Sequence, residues 1–162
     1  MKQIILYDSA TGNTEYLAKA LSHALPNVPC GPVGSLDYSK AELVYLGFWT
    51  DKGTADQACL ELLGRLRNKK IFLFGTAGFG GSEAYYQKIL ANVRTAIDAS
   101  NTVVGEYMCQ GRMPQAVRDR YVKMKEMPDA KPNLDALIEN FDQALSHPDQ
   151  EDLERLRRMI TG

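Results

Sequence analysis

Directly after the apolar run Ile4-Ile5-Leu6-Tyr7 the chain reads Ser9-Ala10-Thr11-Gly12-Asn13-Thr14, with four hydroxyl or amide side chains set around one glycine. Such a segment at the start of a helix can hold a phosphate. Successive backbone N–H groups, hydroxyl donors and the positive end of the helix dipole take the place of lysine or arginine. Gly12 lets the backbone turn tightly and approach the anion. The segment is not a Walker A loop, because no Gly-Lys-Ser/Thr ending follows, and it lacks the G-x-G-x-x-G of dinucleotide folds. The competing reading is a helix-capping loop of ordinary turn residues.

Two further glycine-bearing loops carry aromatics. Gly47-Phe48-Trp49-Thr50-Asp51-Lys52-Gly53-Thr54 holds the only tryptophan, and Gly75-Thr76-Ala77-Gly78-Phe79-Gly80-Gly81-Ser82 is followed by Tyr85 and Tyr86. A flat, largely apolar ring with polar edges needs flanking aromatics and main-chain donors and acceptors, and both loops have that composition. Cys109-Gln110-Gly111-Arg112-Met113-Pro114 is a candidate rim of the same cleft. There Arg112 either approaches an anionic ligand or partner, or is a solvated turn residue. No histidine lies near Cys109, and no general acid and base pair stands out, so no catalytic residue is assigned.

These loops need elements to position them. Ile4-Ile5-Leu6-Tyr7, Leu43 to Trp49, Ile71 to Phe74 and Thr102 to Met108 read as buried strands. Val28 to Tyr38, with Pro29 and Pro32, allows only a short edge strand. Between them run amphipathic helices. One starts at Thr14 and ends at Pro26; one is introduced by the capping-box spacing Thr54-Ala55-Asp56-Gln57; one is capped by Ser82 and buries Tyr86, Ile89, Leu90, Val93 and Ile97. Beyond Pro114 the stripes Val117, Tyr121, Met124 and Leu134, Leu137, Ile138, Phe141, Leu145 predict two helices. A last helix follows His147-Pro148-Asp149, with acids early and arginines late. Apolar strands alternating with helices imply an α/β three-layer sandwich on a parallel sheet, with ligands outside the carboxyl ends of the strands.

Length and charge narrow the function classes. The 162 residues suit one domain, 1–162, with a helical extension from about 114 to 162, and the net charge of −1 gives no basic face for nucleic acid. No apolar run is long enough for a membrane span or a secretory signal, so the expected location is cytoplasmic. Cys30, Cys59 and Cys109 have no metal-site spacing and read as buried thiols, and no metal site is expected.

At Ser9-Ala10-Thr11-Gly12-Asn13-Thr14 the chain resembles the flavodoxin family, whose phosphate loop reads Thr/Ser-x-Thr-Gly-x-Thr at this position between first strand and first helix. The resemblance implies five parallel strands in the order 2-1-3-4-5 and FMN as cofactor. It makes Ser9, Ala10, Thr11, Gly12, Asn13 and Thr14 the phosphate loop. Phe48, Trp49, Thr50, Asp51, Lys52, Gly53, Thr76, Ala77, Gly78, Phe79, Gly80 and Tyr85 become the ring-binding residues, with Trp49 and Phe79 (or Tyr85 in its place) stacking and Gly53 facing flavin N5. Phe48-Trp49-Thr50, Cys109 to Met113 and the His147-Pro148-Asp149 helix are similar to a subgroup of bacterial flavodoxin-like proteins that includes partners of bilirubin reductase.

What the resemblance implies is an electron carrier, monomeric or homodimeric, that cycles flavin redox states to supply a partner reductase. The alternative is an FMN-dependent NAD(P)H oxidoreductase acting on a quinone or similar acceptor, and a third reading is an interaction module without flavin. A response-regulator receiver shares the strand order and has Asp8 and Asp51 to offer, but Cys109-Gln110 stands where its lysine is needed. Many electron-carrying flavodoxins are strongly acidic; this nearly neutral chain departs from them, which leaves room for a specialised partner.

Overall fold

The computed structural model describes residues 1–79, 82–129 and 132–161. In chain order the elements are β1 (Gln3–Tyr7), α1 (Asn13–Ala24), β2 (Cys30–Pro32), β3 (Leu43–Asp51), β4 (Thr54–Ala55), α2 (Gln57–Arg65), β5 (Lys70–Ala77), α3 (Glu83–Arg94), β6 (Thr102–Gln110), α4 (Gln115–Lys125), α5 (Leu134–Ala144) and α6 (Gln150–Thr161). The sheet runs β2-β1-β3-β5-β6 with every pairing along that path parallel, which is the expected 2-1-3-4-5 order of five parallel strands. β4 is an addition, paired antiparallel to the end of β3.

Strand alternation sends successive side chains to opposite faces, and each face builds its own core. Ile4, Leu6, Val44, Leu46, Phe48, Ile71 and Leu73 meet Leu62 and Leu63 of α2 and Ile89, Leu90 and Val93 of α3. Ile5, Tyr7, Tyr45, Phe72 and Phe74 meet Leu17 and Leu21 of α1 and Leu153 and Leu156 of α6. Each fully buried Leu, Ile or Phe side chain in these layers contributes about 1.5–3 kcal/mol. The helix expected last in the C-terminal extension therefore completes the sandwich, covering the sheet beside α1.

Three expectations need correction. The second helix does not begin at Thr54: Asp56 is its cap, accepting from the Cys59 N–H at 3.1 Å, while Thr54 and Ala55 pair with Asp51 and Thr50. Lys52 and Gly53 take positive φ (53° and 83°), the conformation of a two-residue hairpin turn, and this consumes the residues that would have capped a longer helix. Ile97 lies beyond the end of α3 and is half-buried. In α4 the Val117, Tyr121, Met124 stripe buries nothing completely and Met124 is exposed; α4 is held against α5 by the Arg118–Asp142 and Lys125–Asp135 ion pairs.

The sheet ends in unlike edges. β2 is three residues with Pro29 before it and Pro32 within it, and β6 has an irregular register opposite Ile71 and Phe72. Beyond that irregularity Glu106 of β6 pairs with Arg94 of α3.

Candidate functional site

β1, β3, β5 and β6 end together, and a cavity of about 230 Å³ opens over their carboxyl ends. Its walls are Ala10, Thr11 and Asn13 from the first loop, Trp49 and Thr50 from β3, Thr76 to Gly78 from β5, and Gly111 to Pro114 after β6. An adjoining cleft of about 400 Å³ shares Thr11, Asn13 and Arg112 and adds Gly12, Tyr16 and Pro148.

The first loop is organised around Gly12, whose φ of +90° lies in the left-handed region that favours glycine. Ser9 Oγ accepts from the N–H groups of Gly12 (3.1 Å) and Glu15 (3.3 Å). Among the described residues the N–H groups of Asn13 and Thr14, the first two of α1, have no protein acceptor, so they present the positive end of the helix outward. Thr11 Oγ1 donates to the Arg112 carbonyl at 3.3 Å and accepts from Asn13 Nδ2 at 2.9 Å.

Thr14 behaves differently from its neighbours in the motif. Its side chain is fully buried; the hydroxyl donates to the Phe48 carbonyl at 3.1 Å and lies 3.0 Å from the Thr76 hydroxyl. The single Thr14 proton is spent on Phe48, so Thr76 is the donor in the second bond. The hydroxyl fastens α1 to β3 and β5, and Thr14 faces the site with its main chain.

In β3 the alternation separates two residues that the sequence reading grouped. Phe48 turns into the core, against Gly75, where a Cβ would meet its ring at 2.3 Å, and only its carbonyl reaches the loop region. Trp49 turns to the cavity. Its indole Nε1 donates to Asp8 Oδ2 at 2.9 Å, and its main-chain N–H donates to Asp56 Oδ1 at 3.2 Å. Thr50 Oγ1 donates to the Thr76 carbonyl at 2.8 Å. Asp51, Lys52 and Gly53 belong to the hairpin outside the cavity, and the Gly53 carbonyl is taken up by Asn92 Nδ2 at 2.8 Å.

Thr76, Ala77 and Gly78 line the cavity, whereas Phe79 and Tyr85 do not. Phe79 is 40% exposed and stands edge-on to Tyr85, with ring centres 6.4 Å apart. Gly80 lies outside the described residues.

Gly111, Arg112, Met113 and Pro114 are the walls that the assigned ring-binding residues omitted, although the sequence marked their segment as a rim. Gly111 sits where a Cβ would be 2.6 Å from Asn13 Nδ2, so glycine is what permits the first loop to close on this one. Asn13 Nδ2 donates to the Arg112 carbonyl at 2.7 Å, and the Arg112 N–H donates to the His147 carbonyl at 3.0 Å. His147 Nδ1 is 2.6 Å from Asp152 Oδ2, while Asp149 and Asp152 exchange hydrogen bonds as a reciprocal cap at the start of α6. Asp8 and Asp56 were unassigned too; the signal was an acid on the first residue after β1 and an acid three residues before the helical Cys59.

Electrostatically the acids below Trp49 are the marked feature. Burial, and then the nearby Asp8, push the Asp56 carboxyl up to about 7. Cys59 and Cys109 are buried and their thiols are pushed well up, chiefly by desolvation, which leaves both in the unreactive form. No helix among the described residues is long and apolar enough to cross a membrane.

A family model described as a flavodoxin domain matches residues 4–161. The chain is 36% identical to the flavodoxin-like domain-containing protein BilS of Clostridium symbiosum, over 99% of this chain and 94% of the relative. It is 30% identical to the protein of that name from Clostridioides difficile, over 94% of this chain and 90% of the relative. Among solved structures it is similar in fold to a flavoprotein in complex with FMN from Lactobacillus acidophilus (TM-score 0.54, 14% identity, covering 67% of this chain and 93% of that one). It is also similar in fold to oxidised flavodoxin 2 from Bacillus cereus (TM-score 0.50, 16% identity, covering 88% and 99%). With the family model spanning almost its whole length and two relatives at or above 30% identity, this chain belongs to the flavodoxin family.

Proposed function

We propose that the protein binds FMN over the carboxyl edge of its sheet and carries electrons to a partner reductase. The observation that carries this reading is the convergence of a phosphate-type loop, with two unsatisfied helix N–H groups, on a cavity walled by Trp49. A phosphate monoester accepts from N–H groups and hydroxyls, and the main chain of Asn13 and Thr14 with the Ser9 side chain offers that donor set without a lysine. A planar ring takes an aromatic face and main-chain polar groups, which Trp49 and the Thr76 to Gly78 segment provide. The residues therefore fit the group.

When bound, FMN supplies one- and two-electron redox chemistry that the side chains here do not possess. The protein's share is to bind and orient. Ser9 and the first turn of α1 would fix the phosphate, with Thr11 bracing the loop against Arg112; Trp49 would cover ring surface and exclude water; Arg112, which lines both cavities, places a cation beside them. A carrier rather than a self-sufficient enzyme is supported by membership of the flavodoxin family. The likeness to flavodoxin-like proteins that accompany bilirubin reductase makes an oxidoreductase of that kind the acceptor to try first.

The test is a titration of flavin-free protein with FMN and with riboflavin. Loss of the phosphate removes several charge-assisted hydrogen bonds, so FMN should bind on the order of 100-fold more tightly. Equal affinities would refute the phosphate assignment, and sustained NAD(P)H consumption by the purified protein alone would favour the oxidoreductase alternative.

A further inference from the structure

The exit of β5 is held by residues that follow it far along the chain. The Ala77 carbonyl accepts from the Gly111 N–H at 2.9 Å. The Gly78 carbonyl accepts from two side-chain amides, Gln110 Nε2 at the end of β6 and Asn140 Nδ2 in α5, each at 3.1 Å. Gln110 Nε2 also donates to Asn140 Oδ1 at 3.2 Å. A carbonyl only accepts, so both amide nitrogens must face Gly78, which fixes the orientation of the two side chains and occupies both lone pairs of that oxygen. Gln110 is buried, and Asn140 is half-buried beside the fully buried Phe141. Asparagine is an unfavourable residue for a helix interior, so its place in α5 calls for a compensating contact. The helix that carries it is braced in turn by α4, through the Arg118–Asp142 and Lys125–Asp135 ion pairs.

The peptides on either side of Gly78 are trans, and a trans peptide points its N–H opposite to its carbonyl. Both carbonyls are drawn towards β6 and α5, so the N–H groups of Gly78 and Phe79 turn the other way, to the side of β5 where Trp49 and Thr50 of β3 wall the cavity. Among the described residues neither N–H has a protein acceptor. Gly78 itself lines the cavity, and a Cβ there would be 2.7 Å from Met113, another of its walls. We propose that Asn140, with Gln110, is a positioning residue for the ligand: by consuming the Gly78 carbonyl it leaves this stretch of the rim with two donors and no acceptor. Such a rim takes the acceptor edge of a planar ring, a carbonyl oxygen or an unprotonated ring nitrogen, and refuses a donor edge. The α4–α5 hairpin is the arm that brings Asn140 to the cavity. The consequence for flavin rests on the FMN reading above; the fixing of the Gly78 peptide does not.

The experiment is a titration of the isotope-labelled full chain, followed by amide NMR, with FMN, riboflavin and inorganic phosphate. In the wild type the Gly78 and Phe79 amide protons should move downfield with FMN and with riboflavin, as each N–H gains an acceptor, and stay in place with inorganic phosphate, which has no ring. Asn140→Leu keeps the bulk and removes the donor. It should weaken FMN and riboflavin by the same factor, about fivefold, and shrink the Phe79 shift, while the Asn13 and Thr14 amides respond to phosphate as in the wild type. Unmoved Gly78 and Phe79 amides in FMN-saturated wild type overturn the proposal. So does a leucine variant with wild-type affinity and shifts, or one whose loss is confined to FMN. If that variant fails to fold, Asn140→Asp, which still accepts from Gln110 but cannot donate to Gly78, takes its place. If neither flavin binds, the functional reading fails, and the fixing of the peptide is decided in flavin-free protein: an upfield move of the Gly78 carbonyl-carbon resonance in the variant upholds it, and an unchanged resonance overturns it.

Discussion

The side-chain amide of Asn13 donates to the main-chain carbonyl of Arg112 at 2.7 Å, joining the first residue of α1 to the loop after β6. The main-chain N–H of Arg112 donates to the His147 carbonyl at 3.0 Å. The phosphate-type loop, the last strand's exit and the segment before α6 thus share one main-chain seam, and the shape of the ligand cavity depends on it.

Breaking that seam should weaken ligand binding more than folding. Asn13→Ala removes two side-chain hydrogen bonds, to the Arg112 carbonyl and to Thr11 Oγ1, at a partly exposed position; at about 1 kcal/mol each, this predicts an FMN dissociation constant roughly fivefold to thirtyfold higher. Gly111→Ala drives a Cβ to 2.6 Å from the Asn13 amide and should have an effect at least as large. Flavin fluorescence titration measures both.

Thr14 calls for the opposite pattern. Thr14→Val keeps the shape but removes the hydroxyl's bond to the Phe48 carbonyl and leaves the buried Thr76 hydroxyl without this acceptor, at a cost of about 1–3 kcal/mol. The melting temperature should fall by about 2–4 °C per kcal/mol for a chain of this size. Calorimetry of flavin-free protein would show this loss, and FMN affinity should change by less than about threefold, since the hydroxyl faces the protein interior.

At Gly12 an added Cβ would meet nothing within 4 Å, so any cost of substitution is conformational. Gly12→Ala should lose about 1–2 kcal/mol in denaturant unfolding, and Gly12→Asn distinctly less, because asparagine visits the left-handed region more readily.

The buried Asp56 makes stability depend on pH. Its folded-state pKa is raised from 3.8 to about 7, so the native state binds more protons than the unfolded chain between those values. The associated stability is fully present below about pH 4 and is lost as pH rises towards 7, by up to about 4 kcal/mol. Urea midpoints for Asp56→Asn, compared with wild type, should be flatter across that interval; an unchanged slope would count against a proton held on Asp56.

Strands and sheet order were legible because buried parallel strands are written as short apolar runs, and four such runs recur between helical stripes. The second helix start was misjudged because Thr54-Ala55-Asp56-Gln57 contains two plausible caps. The choice is made by Lys52 and Gly53, whose positive φ folds Thr54 and Ala55 back onto β3. Phe48 and Trp49 were grouped as one aromatic loop, yet both lie within β3, where neighbours point to opposite faces. The walls at Gly111 to Pro114, which the sequence marks only as a rim, and the acids Asp8 and Asp56 are brought to the site by packing between distant segments, which local spacing records only in part.

The unlike edges of the sheet also govern how the protein can meet other chains. An incoming extended peptide needs a flat, regular row of free N–H and C=O groups to add itself as a strand. β2 offers three residues hemmed by prolines, and the register of the outer strand β6 is interrupted opposite Ile71 and Phe72. Strand addition and edge-to-edge aggregation are disfavoured at both ends of the sheet.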